Sequence, residues 1–142
     1  MSEYAAVNDA AGTIAKDVGT DPKDRAGKSR RGLVTHSAGR LSDGALSGVL
    51  RSSQNAVASL GPEVPVEAII QGPGVALLVK GSGSAEVIST AVASGVRVLA
   101  CGNSLRSAGV PTDGLLPGVE VVPAAIVHLA ERQWDGWAYV RL

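Results

Sequence analysis

Phenylalanine is absent, and the chain holds one cysteine, Cys101, and four aromatic side chains in 142 residues. Three of the four, Trp134, Trp137 and Tyr139, fall near the C-terminus, so the core has to be built from Val, Leu, Ile and Ala. A single cysteine excludes an intrachain disulfide, and nothing calls for an oxidising compartment. Neither sign of charge is in excess, with 13 Lys and Arg against 13 Asp and Glu. Phosphate binding draws on surplus positive charge, so nucleic acid and acidic membrane surfaces are not expected partners. No apolar run approaches the ~20 residues that span a bilayer. Glu3, Asp9, Lys16 and Asp17 occupy the N-terminal segment where a secretory signal needs an apolar stretch, so the expected location is the cytoplasm. His36, His128 and Cys101 show no metal-ligand spacing, so no metal and no other cofactor is expected.

What is present is a globular composition, 45% hydrophobic and 18% charged, of a length that fits one domain. Residues 1–31 mix acidic and basic groups with few, small apolar residues and no sustained period. They read as a flexible N-terminal tail, with a helical turn around Ala5–Lys16 and a linker over Gly19–Lys28. The run Lys28-Ser29-Arg30-Arg31 is either a solvated basic stretch or a docking site for a partner.

From residue 32 the pattern becomes regular. Short β-branched runs, most of them apolar on both faces, occur at Gly32–His36, Val64–Gln71, Gly95–Cys101, Val119–Val122 and Trp137–Leu142. Such runs suit a parallel sheet covered on both sides. Between them, Leu46, Val49, Leu50, Val57 and Leu60 recur at helical steps, ended by Gly61-Pro62. Val75–Lys80 suits a short helix after Pro73, and Val87, Ile88, Ala91 and Val92 form a stripe closed by Gly95. Asn103 is a plausible N-cap for a helix over Ser104–Ala108, ended by Gly109. Pro123 suits the first turn of a last helix, with Ile126, Leu129, Ala130 and Trp134 on one face and Gly136 at its end. The alternation predicts an α/β domain over 32–142: three layers, α/β/α, around a five-stranded, mainly parallel sheet.

Ligands in such sheets bind beyond the carboxyl ends of the strands. Those ends are His36-Ser37, Gln71-Gly72, Cys101-Gly102-Asn103 and Val122-Pro123. Cys101, at a strand-to-helix junction, would face helix N–H groups that favour a thiolate nucleophile, with Gly102 allowing close approach and Arg106 adding positive charge. The same thiol also reads as a small buried hydrophobe. His36 suits a base or a ligand-positioning group, or a strand-end hydrogen bond, and His128 reads as structural or partly exposed. Gly72-Pro73-Gly74 could offer N–H groups to an anion, or be only a tight turn. Thr35-His36-Ser37-Ala38-Gly39 lacks the first glycine of a nucleophile elbow. Gly27-Lys28-Ser29 lacks the strand and the earlier glycine of a phosphate loop.

Four blocks, in order, carry a resemblance: Glu67–Gly74, Gly95–Leu105, Leu115–Pro123 and Gly136–Tyr139. Residues 32–142 resemble the DsrE/DsrF-like family, in its YchN-like group. The resemblance implies the same three-layer fold, homo-oligomers (dimers, trimers or hexamers) and sulfur relay, with sulfur carried as a persulfide on a cysteine that Cys101 matches. Many close relatives have histidine before the Gly-Pro-Gly turn. Here Gln71 stands there and cannot transfer a proton at neutral pH.

Three functional readings result. The first is a sulfur carrier, sulfurtransferase-like, with Cys101 as the reacting group, His36, Ser37, Gln71, Gly72, Gly74, Gly102, Asn103 and Arg106 around it, and sulfur-relay proteins as partners. The second is a non-catalytic homo-oligomeric module that binds a small anionic or nucleotide-like ligand at the same strand ends. The third is an interaction role for the Trp134/Trp137/Tyr139 cluster, which otherwise covers an edge of the core.

Overall fold

The computed structural model describes residues 31–142. The tail, the turn over 5–16, the linker and the basic run short of Arg31 lie outside the described residues. Five strands form the sheet: β1 (Leu33–Ala38), β2 (Val66–Gln71), β3 (Val96–Cys101), β4 (Val119–Val122) and β5 (Ala138–Arg141). Their order is β4-β3-β2-β1-β5, and every neighbouring pair is parallel. The helices are α1 (Asp43–Leu60), α2 (Ala85–Ala93), α3 (Gly102–Ala108) and α4 (Ala125–Trp134). Among the described residues no helix is long and apolar enough to cross a membrane.

Alternation along the strands feeds two cores. Ala68, Ile70, Val96, Val98 and Ala100 point to one face and pack with Leu46, Val49 and Leu50 of α1, Ile88 and Ala91 of α2 and Leu105 of α3. Val34, Ile69, Leu99, Cys101 and Val122 point to the other and meet Ala125 and Leu129 of α4, with Trp137 at the margin. Burial on both faces holds for the central β1, β2 and β3 and explains their apolar runs, whereas the edge strands β4 and β5 are largely exposed, which departs from the expectation of a sheet covered throughout. The chain steps from β1 through β2 and β3 to β4 in one direction, with α1, α2 and α3 on one face. It then returns across the whole sheet to β5, and α4 lies on the opposite face, as right-handed crossovers require.

Local chemistry accounts for the ends. Ser42 caps α1, its hydroxyl accepting the Ala45 N–H at 3.1 Å, and Gly61 closes it. Gly109, in the left-handed conformation, closes α3.

Several expectations are corrected. The segment after β2 is a 3₁₀ helix over Gly72–Leu78, not a helix over Val75–Lys80, because Val79 is drawn into an antiparallel bridge with Leu115. Cys101, not Asn103, occupies the N-cap position of α3, since the helix begins directly where β3 stops. Pro123 precedes α4, whose N-cap is Ala124. The inward stripe of α4 also differs. Ile126 and Trp134 are 73% and 81% exposed, while Ala125, His128, Leu129 and Arg132 face the sheet. The reason is a carboxylate beneath the helix, Glu67, which draws His128 and Arg132 inward.

Candidate functional site

At the carboxyl edge of the sheet, β3 leaves into α3 on one face and β4 leaves into α4 on the other. The crevice between two such strands is where open α/β sheets place ligands, and Cys101 stands in it. Gly102 makes the junction possible, because a Cβ there would lie 3.0 Å from the Pro123 carbonyl oxygen and 3.1 Å from that of Val122. A side chain there would be tighter than ordinary contacts and would force the two exits apart by a few tenths of an ångström.

The Cys101 sulfur lies on the α4 face and accepts the Ala125 N–H, the first helical residue of α4, at 3.4 Å. Burial pushes the thiol pKa up. The Ser104 hydroxyl and the N–H groups of Ala125, Ser104 and Asn103 outweigh it, so the pKa lies below the ordinary thiol value. The start of α4 thus bonds the sulfur directly, a donor that the sequence reading did not find. The residue is 2% exposed, so the sulfur is enclosed by the chain.

Ser104 itself is anchored, its hydroxyl oxygen accepting the Gly72 N–H at 2.7 Å. Gly72 holds φ +78°, a left-handed turn that favours glycine, and a Cβ there would sit 2.9 Å from the Gly39 nitrogen. The Gly74 N–H donates to the Gly39 carbonyl at 3.1 Å. With both N–H groups engaged, and none on Pro73, the Gly72-Pro73-Gly74 turn is a structural link and not the anion cradle weighed above.

Gln71 and Cys101 directly follow the paired Ile70 and Ala100 on adjacent strands, so they stand side by side. The Gln71 Oε1 lies 2.8 Å from the His36 Nε2, and the His36 Nδ1 lies 2.7 Å from the Tyr139 hydroxyl. With Oε1 as acceptor, Nε2 carries the proton and the tyrosine donates to Nδ1. The structure therefore brings together Cys101, Gly102, Gln71, Gly72 and His36. Ser37 alternates to the opposite face and is buried on the α1 side with Thr35, which bonds the Ser53 hydroxyl at 2.9 Å. Asn103 and Arg106 are exposed and bond each other, Arg106 donating to the Asn103 side-chain oxygen. Arg106 is not among the groups that favour the thiolate.

A second polar cluster lies at the other end of α4. Glu67, fully buried, accepts from Arg132 Nε at 3.0 Å and Nη2 at 2.7 Å, from Arg97 Nη1 at 2.9 Å, and pairs with His128 Nε2 at 2.7 Å. Burial pushes its pKa up, but hydrogen bonds from Arg132 and His128 together with their charges bring it below the ordinary carboxylate value. Arg97 also bonds Glu120, and Arg132 lies 4.4 Å over the Trp137 ring.

Residues 17–142 match the DsrE/DsrF-like family. The chain belongs to that family. The match begins ahead of the residue-32 boundary expected from the sequence. MTH1491 from Methanobacterium thermoautotrophicum, a protein of unknown function, is 31% identical, with a TM-score of 0.71 over 79% of this chain and 99% of that one. The ychN protein of E. coli shares the fold at 18% identity, with a TM-score of 0.65 over 79% of this chain and 99% of that one. BT1422 from Bacteroides thetaiotaomicron, also of unknown function, shares it at 19% identity, with a TM-score of 0.57 over 78% and 94%. No curated protein matches the chain.

Proposed function

We propose that this DsrE-like protein is a cytoplasmic sulfur carrier that holds sulfane sulfur as a persulfide on Cys101. The observation that carries the reading is the chemistry around the one thiol. A cysteine packed as a small hydrophobe is pushed up in pKa by burial, whereas Cys101 is held below its ordinary value by donors from α3 and α4. The thiolate attacks the outer sulfur of a donor persulfide, R–S–SH. The donor's S–S bond breaks, R–S⁻ leaves with its electron pair, and a new S–S bond forms at Cys101 with no net oxidation. The enclosing wall shields the persulfide from water and oxidants.

The reading includes a homo-oligomer. Ile126, Val127 and Trp134 leave an apolar strip on the outer side of α4, of the kind that marks association surfaces.

The test is mass spectrometry after incubation with glutathione persulfide. A gain of about 32 Da on Cys101 is expected, absent in a folded Cys101→Ser variant. Labelling of Cys101 only at the rate of global unfolding, with no sulfur adduct, would overturn the carrier and favour the non-catalytic binding module.

A further inference from the structure

α4 is apolar on two sides. Ala125 and Leu129 are buried against the sheet, while Ile126, Val127 and Trp134 are exposed. Among the described residues Trp134 is the most exposed large hydrophobic side chain. Beside this strip a cleft of about 210 Å³ opens on the flank of the same helix, lined by Pro123, Ala124, Val127, His128 and Glu131. Ala124, Val127, His128 and Glu131 have the spacing of the four side chains that make a hole for a knob when one helix packs on another. The floor of the cleft is fixed, because the His128 Nε2 is held on the buried Glu67 at 2.7 Å. Its lining is mostly apolar, with one carboxylate, Glu131, at the rim. An indole suits both, being an apolar ring with a single N–H donor.

Trp134 cannot fill the cleft of its own helix. It stands seven residues beyond Val127, nearly two turns, so the two share a side of α4 and lie about 10 Å apart along its axis. A second α4 laid antiparallel on the first returns that spacing on itself. The partner's Trp134 then enters the cleft as the first Trp134 enters the partner's cleft, two identical contacts about one two-fold axis. Ala130 falls near the axis and is small, so the two helices can close together. The two Glu131 carboxylates also come near the axis, a like-charge contact that keeps the association reversible.

We infer that this surface takes a second copy of the chain, paired through antiparallel α4 helices with each Trp134 seated in the other copy's cleft. The inference rests on the homo-oligomer reading and names its contact. A tryptophan in a partner's pocket is the usual anchor of an interface, and each one brings about 150–250 Å² of surface into it.

The experiment follows Trp134 itself. Trp137→Phe leaves Trp134 as the one tryptophan of the full chain, and Trp137 packs inward on the second core, away from the pairing face. Emission, acrylamide quenching and light scattering are read over a dilution series. As concentration rises, the emission is expected to move to shorter wavelength, the quenching to fall and the mass to double, all with one midpoint. Adding Val127→Asp places a charge in the cleft at an exposed position, where the fold does not depend on it. That variant is expected to stay monomeric, with a solvent-like emission throughout. Should the phenylalanine variant unfold, the parent protein gives the same readout over a constant Trp137 background. A mass that rises while Trp134 stays open to quencher, or an assembly with an odd number of copies, would overturn the α4 pairing and leave the homo-oligomer to another surface. A monomer with unshifted emission at every concentration would overturn both and leave the cleft to a different partner.

Discussion

Replacing Glu67 by Gln keeps the side chain's shape and removes its charge from a fully buried position. The carboxylate receives two bonds from Arg132, one from Arg97 and one from His128, at 2.7 to 3.0 Å. Breaking a buried pair by removing one partner typically costs about 3–5 kcal/mol. Here the cost is expected at the low end, about 3 kcal/mol, because the side chains of Arg132 and Arg97 are 25% and 48% exposed and regain water, and Arg97 retains Glu120. Urea unfolding at neutral pH should show that loss as a fall in midpoint of about 1–2 M. The pH dependence gives a sharper check. The folded pKa of Glu67 lies below its unfolded value. Its contribution is therefore complete above the ordinary carboxylate range and is lost as pH falls through the depressed folded value. The Glu67→Gln variant has no such term. Glu120, lowered mainly by Arg97, titrates in both proteins and differs between them only by the loss of the small raising effect of the Glu67 charge. The stability gap should thus close on acidification. A gap under about 1 kcal/mol at neutral pH, or one that stays constant into acid, would refute the account of Glu67 as an ionised clasp.

The two tryptophans make a matched pair. Trp134→Glu is expected to lower the mass of the protein in solution with little change in monomer stability, as read by light scattering, because Trp134 is on the outer side of α4 and 81% exposed. Trp137→Ala should leave the mass unchanged and cost about 2–3 kcal/mol in urea unfolding, since its ring packs against the second core and under Arg132.

The aromatic cluster read as one feature is therefore divided by the fold, and the division shows what a sequence can and cannot carry. The strands were legible because Val64–Gln71 and Gly95–Cys101 are apolar on both faces, a pattern with one common structural cause. The position of Cys101 at a strand end followed from the same alternation. The orientation of α4 did not follow, because a hydrophobic stripe gives Arg132 no inward place and leaves His128 open as structural or partly exposed. Their inward turn depends on Glu67, which lies on a strand 61 and 65 positions away. The donors on the sulfur were half legible. The start of α3 is contiguous with Cys101, whereas Ala125 arrives from 24 positions away. A signal for Glu67 was present, since an acidic residue inside an apolar run has to find a cation. Only the fold says which one.

The two polar clusters share α4. Its first N–H is on the Cys101 sulfur, and Arg132, near its far end, is on Glu67. With only Ala125 and Leu129 buried along the helix, these contacts fix where its start lies, so Glu67 should influence a thiol at the opposite edge of the sheet. Two effects of Glu67→Gln have opposite signs. Through space, removing a negative charge favours a thiolate and lowers the Cys101 midpoint. Through the helix, loosening α4 weakens the Ala125 bond to the sulfur and raises it. Glu67 is not among the groups that act directly on Cys101, so the second effect should prevail. A small rise is expected by thiolate absorbance, because one of several donors is loosened rather than removed. A fall in the midpoint of the folded Glu67→Gln variant, or none, would show that the start of α4 is held by β4 and Pro123 alone and that the clasp at Glu67 serves stability only.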